Sequence, residues 1–239
     1  VMITMSLDSI AMAGPFRNYK PTPVPTISNQ PTTPLHEALE IYERFICKDI
    51  PTDLAKDAIF PTFLTVLSPP QIQQFLSITQ EYELEKNYSD RTGLFLTHLV
   101  QLSHNAGNTQ FMLDLTDHKP LNYLCSSMRK NQDKGLSVII KGTIGNICFY
   151  GCKGGTYFID KVSNSHVAVV AESTEFYLRD VPTQVGLFAD SLIIKTYNPL
   201  VESKVHRHHS DGKVFNLISK EAWQQAWDEK MEIFARCRL

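Results

Sequence analysis

Apolar residues between Val138 and Thr196 return at a fixed step. Ile140, Phe158, Phe176 and Ile194 are 18 positions apart; Phe149, Val167 and Val185 keep the same step, as do Gly151, Val169 and Leu187. One period near 20 held in three registers is the mark of a solenoid, in which each repeat is a coil stacked on the last. Residues two apart in a strand share a face, so the columns headed by Phe149 and Gly151 point the same way and their large members mark the interior. Gly142, Gly145, Gly154 and Gly155, then Ser163-Asn164, Glu172-Ser173 and Asp190-Ser191, supply the corners. Corner spacing is 19 from Cys152 to Ala171 and 18 from Ala171 to Ala189, which leaves one residue of slack. Asn131–Gly135 reads as a polar turn into the first coil. Tyr197-Asn198-Pro199 ends the strand pattern, because proline cannot donate to a central ladder. About three coils over 131–199 are expected.

The flanks change period. Thr33-Pro34 is an N-cap followed by proline at N1, and Leu35, Ala38, Leu39, Tyr42, Phe45 and Ile46 fall on one helical face. A second helix starts after Ser68, with Ile72, Phe75, Leu76, Thr79 and Tyr82 as its stripe. A third begins near Ser89 or Asp90, buries Leu94, Phe95, Leu99 and Leu102, and stops near Asn105-Ala106-Gly107. Phe111–Leu115 alternates as a strand does. The spacing of Leu121, Leu124 and Met128 predicts a helix over Pro120–Lys130, Val214–Ile218 reads as a further strand, and Ser219 caps a last helix carrying Trp223, Trp227 and Phe234. A short stack leaves a row of unpaired amides at each end and needs caps. Phe111–Lys130 is expected to close one end, with Phe215–Ile218 and the tryptophan helix closing the other. The fold class is α+β: a helical N-terminal layer, a short right-handed parallel β-solenoid and a C-terminal capping helix. The expected division is 1–34 as a Pro-rich leader, 35–130 helical, 131–199 solenoid, and 200–239 as basic loop and capping helix.

Composition narrows the function classes. The chain has 239 residues, 43% of them hydrophobic, enough for a packed core. A net charge of −2 gives no bulk attraction to nucleic acid or anionic membrane, so no DNA partner is expected. No stretch has the apolar length of a membrane span. Val1–Gly14 carries no Lys or Arg and no continuous apolar core, unlike a signal peptide. The five cysteines are odd in number and mostly far apart, which points to a reducing, cytoplasmic setting. Six prolines over 15–34 make a tether, and Pro21-Thr22-Pro23-Val24-Pro25 has the form of a polyproline ligand.

Three constellations carry candidate chemistry. His206, His208 and His209 with Asp211 offer metal-ligand types, yet all lie on one loop with Arg207, so a solvated basic loop is the expected reading and a metal site the alternative. Cys148 and His166 are 18 apart with parity opposite to Phe149 and Val167, which places them side by side on the exterior. Gln184 continues that column, and a thiol beside an imidazole has the makings of a nucleophile–base pair. Cys148 and Cys152 form a lone C-x3-C. Lys141, Asp160, Arg179 and Lys195 make a sparse charged column at steps of 19, 19 and 16. The chain has no Walker loop, G-x-S-x-G, H-E-x-x-H or dinucleotide fingerprint. No cofactor is expected.

The order of pieces has a likeness. Tyr88–Asn108, ending in His-Asn-Ala-Gly-Asn, leads into Phe111-Met112-Leu113-Asp114, and the coils close on Ile194-Lys195-Thr196-Tyr197-Asn198-Pro199. This resembles uncharacterised microbial proteins with a helical front and a short Gly-containing β-helix. The coils are distantly similar to the Gly-rich β-helix domains of glutamate synthase and formylmethanofuran dehydrogenase. Only Gly142-Thr143-Ile144-Gly145 carries the Gly-x-x-Gly corner of that group. The resemblance implies a fold and transfers no active-site residue. The expected function is non-catalytic binding or scaffolding by a solenoid face, with a partner that is unknown but fits a protein. The alternative is an enzyme with a surface site on the coils, carbohydrate-active or built on Cys148 and His166.

Overall fold

A computed structural model describes residues 33–47, 66–131, 134–163, 166–205 and 214–236. Its centre is a six-stranded, all-parallel ladder of β1 (Gln110–Leu115), β2 (Ser137–Ile144), β3 (Thr156–Val162), β5 (Glu175–Leu178), β7 (Ile193–Thr196) and β8 (Val214–Leu217), in that order. Two short strands, β4 (His166–Val167) and β6 (Gln184–Val185), pair on a second face. Each crossover returns the chain one step further along the same ladder, which makes a β-solenoid of about four turns. The register Gln110↔Ser137↔Thr156↔Glu175↔Ile193↔Val214 sets successive coil lengths of 27, 19, 19, 18 and 21 residues. The solenoid therefore begins at Gln110, ahead of the Asn131 start read from the repeat.

That extension replaces the helix expected over Pro120–Lys130. Leu121 bridges to Ile144 and Arg129 to Lys153, so the segment is the second face of the first coil. Tyr123, Cys125 and Ser127 have φ of 57°, 59° and 61°, and this alternation of left-handed residues turns Leu121, Leu124, Cys125 and Met128 inward. Inward residues three and four apart mimic a helical stripe, and the sequence pattern cannot separate the two. The same device recurs in register in later coils, at Phe149, Ala168 and Gly186, and at Gly151, Val170 and Phe188. A left-handed residue with a Cβ costs about 1–2 kcal/mol. Here amides of these residues donate along the stack: Ser127 N–H to Tyr150 O (2.6 Å), Gly151 N–H to Val169 O and Val170 N–H to Leu187 O (both 2.8 Å).

The step of 18 is also corrected. It is 19 between β2 and β3 and between β3 and β5, so the interior column is Val138, Tyr157, Phe176 and Ile194. Phe158 moves out of the core column and stands with Ile139, Tyr177 and Lys195 on the outer face. Inside, Tyr157 and Phe176 stack at 5.3 Å between ring centroids, and Phe149 meets both edge-on at 4.8 and 5.2 Å. The 19-residue step at the corner, Lys153 to Glu172, carries through to the strands that follow it, Thr156 to Glu175.

Three helices stand at the β1 end: α1 (Pro34–Ile46), α2 (Pro69–Ile78) and α3 (Tyr88–Asn105). Thr33 caps α1 by accepting from the His36 amide at 3.3 Å. Ser68 and Gln71 form a capping box at α2, with Gln71 Oε1 accepting from the Ser68 amide at 2.9 Å. Tyr42, Phe45, Phe75 and Phe95 pack α1, α2 and α3 together, and the Arg91 guanidinium donates to the last carbonyls of α1 at Phe45 and Ile46 (2.7 and 3.1 Å). α3 lies directly on the first coil: a Cβ added at Gly93 would come within 1.9 Å of Asn122 O.

The final helix, α4 (Lys220–Arg236), does not cap the stack. Trp227, Met231 and Phe234 pack on Met112, Ile139, Phe158 and Tyr177, so α4 lies across the outer face of the sheet. That outward apolar column is what its aromatics bury. Among the described residues no helix is long and apolar enough to cross a membrane.

Candidate functional site

Each end and face of the solenoid follows from its backbone hydrogen bonding. At the β1 end, side chains of the helical layer accept the amides that would otherwise be bare. The Thr97 hydroxyl donates to Gly93 O (2.7 Å) and accepts from Cys125 N–H (2.7 Å). Gln101 clasps Arg129, its Oε1 accepting from the amide (2.7 Å) and its Nε2 donating to the carbonyl (3.1 Å). His104 Nε2 accepts from Asn131 N–H at 3.0 Å, which assigns the ring proton to Nδ1, bonded to Asn108 O at 2.8 Å. Gln73 Oε1 accepts from Asp114 N–H at 2.8 Å on the open side of β1. This end is closed.

Four carboxylates of the coils, Asp114, Asp160, Glu172 and Glu175, are matched across neighbouring turns. Lys141 meets Asp114 at 3.0 Å, and burial, which raises the Asp114 carboxyl, is outweighed by bonds from Thr116 and Lys141 that hold it below its usual range. Arg179 meets Asp160 at 2.8 Å, and the other Asp160 oxygen accepts from Gly142 N–H at 3.2 Å. Gly142 has φ 89° where the β2–β3 register slips, and a Cβ there would lie 2.5 Å from the Leu115 carbonyl carbon, so the close approach requires glycine. The bond to Tyr197, ahead of that to Asp160, raises the Arg179 pKa. Lys195 belongs to a different column, bonded to Glu175 at 2.6 Å and to the Tyr177 hydroxyl at 3.0 Å. Lys153 meets Glu172 at 2.8 Å. The charged column read from the sequence thus resolves into pairs that tie coil to coil.

Cys148 and His166 are not brought together. The 19-residue step pairs Cys148 with Val167, and its thiol points inward, fully buried, donating to Leu121 O at 3.3 Å. Burial pushes that thiol up to about 12, too high for a nucleophile at neutral pH. His166 stays half-buried beside Gln184, its amide bonded to Asn146 Oδ1 at 3.2 Å. Cys152 and Cys125 are also interior, with thiols raised by burial, so the C-x3-C pair lies in the core. His206, His208, His209 and Asp211 lie outside the described residues, as does the Pro-rich stretch before Thr33.

Among the described residues of the coils, the second face and its corner are open for contact. An open groove of about 430 Å³ runs along the corner, lined by Lys130, Gly155, Thr156, Ser173, Glu175 and Ser191. It exists because Gly154, Ser173 and Ser191 take left-handed φ of 73°, 51° and 54° in register and turn each coil sharply. Glu175 is already engaged by Lys195 and by the Thr156 hydroxyl (3.2 Å), so the groove offers hydroxyls, backbone and one lysine rather than an acid–base pair. The corners were legible as Glu172-Ser173 and Asp190-Ser191, but nothing in the pattern says that a groove runs between them. Comparison with protein-family models, curated proteins and solved structures returned no match.

Proposed function

We propose that this protein is a non-catalytic binding or scaffold protein that presents the corner groove and second face of its solenoid to a protein partner. The supporting observation is the use made of the reactive side chains on the described coils. Asp114, Asp160, Glu172 and Glu175 are each paired with a Lys or Arg of a neighbouring coil, and Cys125, Cys148 and Cys152 are buried in the core. A rigid, repetitive surface with these four carboxylates paired on itself suits recognition, which solenoids achieve through extended faces. Photo-crosslinking tests this reading. A photoreactive residue at Ser191 or Ser173 is expected to give a discrete adduct in cell extract, and one at exposed Lys161, outside the groove, is expected to give none. Equal, diffuse labelling at all three positions counts against a groove-centred partner. Turnover of any member of a polysaccharide panel would replace the proposal with the carbohydrate-active reading.

A further inference from the structure

The two ends of the ladder are built differently. At β1 the open edge is filled by Gln73 and covered by the helical layer. At β8 no described residue occupies the open edge. Val214 N–H donates to Leu192 O (2.7 Å) and Ile218 N–H to Thr196 O (2.9 Å), so alternate amides from 214 onwards turn towards β7. Those of Phe215 and Leu217 turn to the open side. Leu217 continues the interior column above Thr196, yet it is 58% exposed, and Val214 is 48% exposed. An edge with bare amides and a bare core column is a template for a further strand.

We propose that β8 is a homodimerisation edge: two copies of this chain pair β8 against β8 antiparallel about a two-fold axis, continuing both sheets and covering both open cores. Three observations select a second copy. The closed β1 end cannot accept β8, so head-to-tail stacking is blocked, and an isologous contact that closes on itself remains. Val214-Phe215-Asn216-Leu217 carries no charge, so facing its own copy sets no like charges opposite one another. α4 runs away from this edge, from Trp223 beside Tyr197, through Trp227 on Phe158, to Phe234 beside Met112, and leaves it clear. An axis through Asn216 puts Phe215 opposite Leu217 of the second copy, joined by the open-side amides. Asn216 then faces its own counterpart in the non-hydrogen-bonded position, where Cα atoms lie about 4.5 Å apart.

Light scattering and sedimentation on the full chain test this. The expected mass at tens of micromolar is twice the 27.1 kDa of the chain. Leu217→Lys, at a position already exposed in one copy, is expected to give a folded monomer with an unchanged circular dichroism spectrum. Asn216→Cys, in a Cys47→Ser, Cys237→Ser background, is expected to form an intermolecular disulfide on mild oxidation, because about 4.5 Å between Cα atoms is within disulfide reach. Should Leu217→Lys fail to fold, the Asn216→Cys crosslink decides. A wild-type monomer across that range, including one whose Phe215 and Leu217 amides are protected by another part of the same chain, overturns the proposal. So does a dimer that neither Leu217→Lys disperses nor Asn216→Cys crosslinks.

Discussion

Truncating Phe176 probes the register of the core. Phe176 is fully buried, stacked on Tyr157 at 5.3 Å and held edge-on by Phe149 at 5.2 Å, with Ile194 on the other side in the next coil. Phe176→Ala removes about 100 Å³ of side chain, and at about 24 cal/mol per Å³ an uncollapsed cavity costs about 2.4 kcal/mol. Lost transfer adds about 2 kcal/mol, so the total is about 4 kcal/mol, within the usual range for buried phenylalanine. Collapse offers little relief, because ladder hydrogen bonds pin the coils above and below. Urea unfolding followed by circular dichroism reads the loss as a lower midpoint at constant slope. Lys161→Ala, on an exposed position of the same sheet, is the control and should change stability by less than about 0.5 kcal/mol. A cost below about 1 kcal/mol for Phe176→Ala, or one equal to the control, would refute the interior column.

Further outcomes follow from other parts of the molecule. Val170 holds a left-handed φ of 57° and is 38% exposed, so Val170→Asn, a residue that accepts this conformation, should stabilise by about 1 kcal/mol and raise the thermal midpoint by a few degrees in calorimetry. Thr97→Val keeps the shape of the side chain but strands the Cys125 amide, and should cost about 1–3 kcal/mol in urea unfolding. Burial lowers the His98 pKa to about 4. The unfolded chain therefore binds the extra proton first, and stability should fall as pH drops from about 6.5 to about 4, with a shallower slope in His98→Gln measured by thermal melts at stepped pH. Stoichiometric zinc should leave the melting temperature unchanged; a rise that His208→Ala with His209→Ala removes would establish a metal site on that loop.

The sequence carried the architecture but not the register. Column periodicity, the change to helical spacing on both sides and the caps at Thr33 and Ser68 were all readable, because each reflects burial or local hydrogen bonding. The 18-residue step failed because Phe158 and Phe176 are equally apolar. One belongs under Trp227 and the other in the core, and only the extra corner residue separates them. The first coil was hidden for a different reason. Tyr123, Cys125 and Ser127 take left-handed conformations that their side chains disfavour, so the local signal argues against the structure that stacking imposes. The outward placement of Cys148 failed because Phe149 takes a left-handed φ of 60°, so Cys148 and its neighbour Phe149 are both buried and the alternation of a strand does not hold there. The cap at the β1 end was equally unreadable, because Thr97, Gln101 and His104 look like ordinary polar positions of a helix until the coil beneath them is placed.

The solenoid starts at Gln110 and is sealed at that end by α3. Expressing Asn131–Pro199 alone removes the first coil, the seal and β8, and an insoluble or self-associating fragment is expected. Hydrogen exchange on the intact protein tests the claim most directly, through the amides of Cys125, Arg129 and Asn131. Bonded to Thr97, Gln101 and His104, they should exchange as slowly as ladder amides such as that of Tyr157. Exchange at the rate of an open turn, with Tyr157 still protected, would contradict the account.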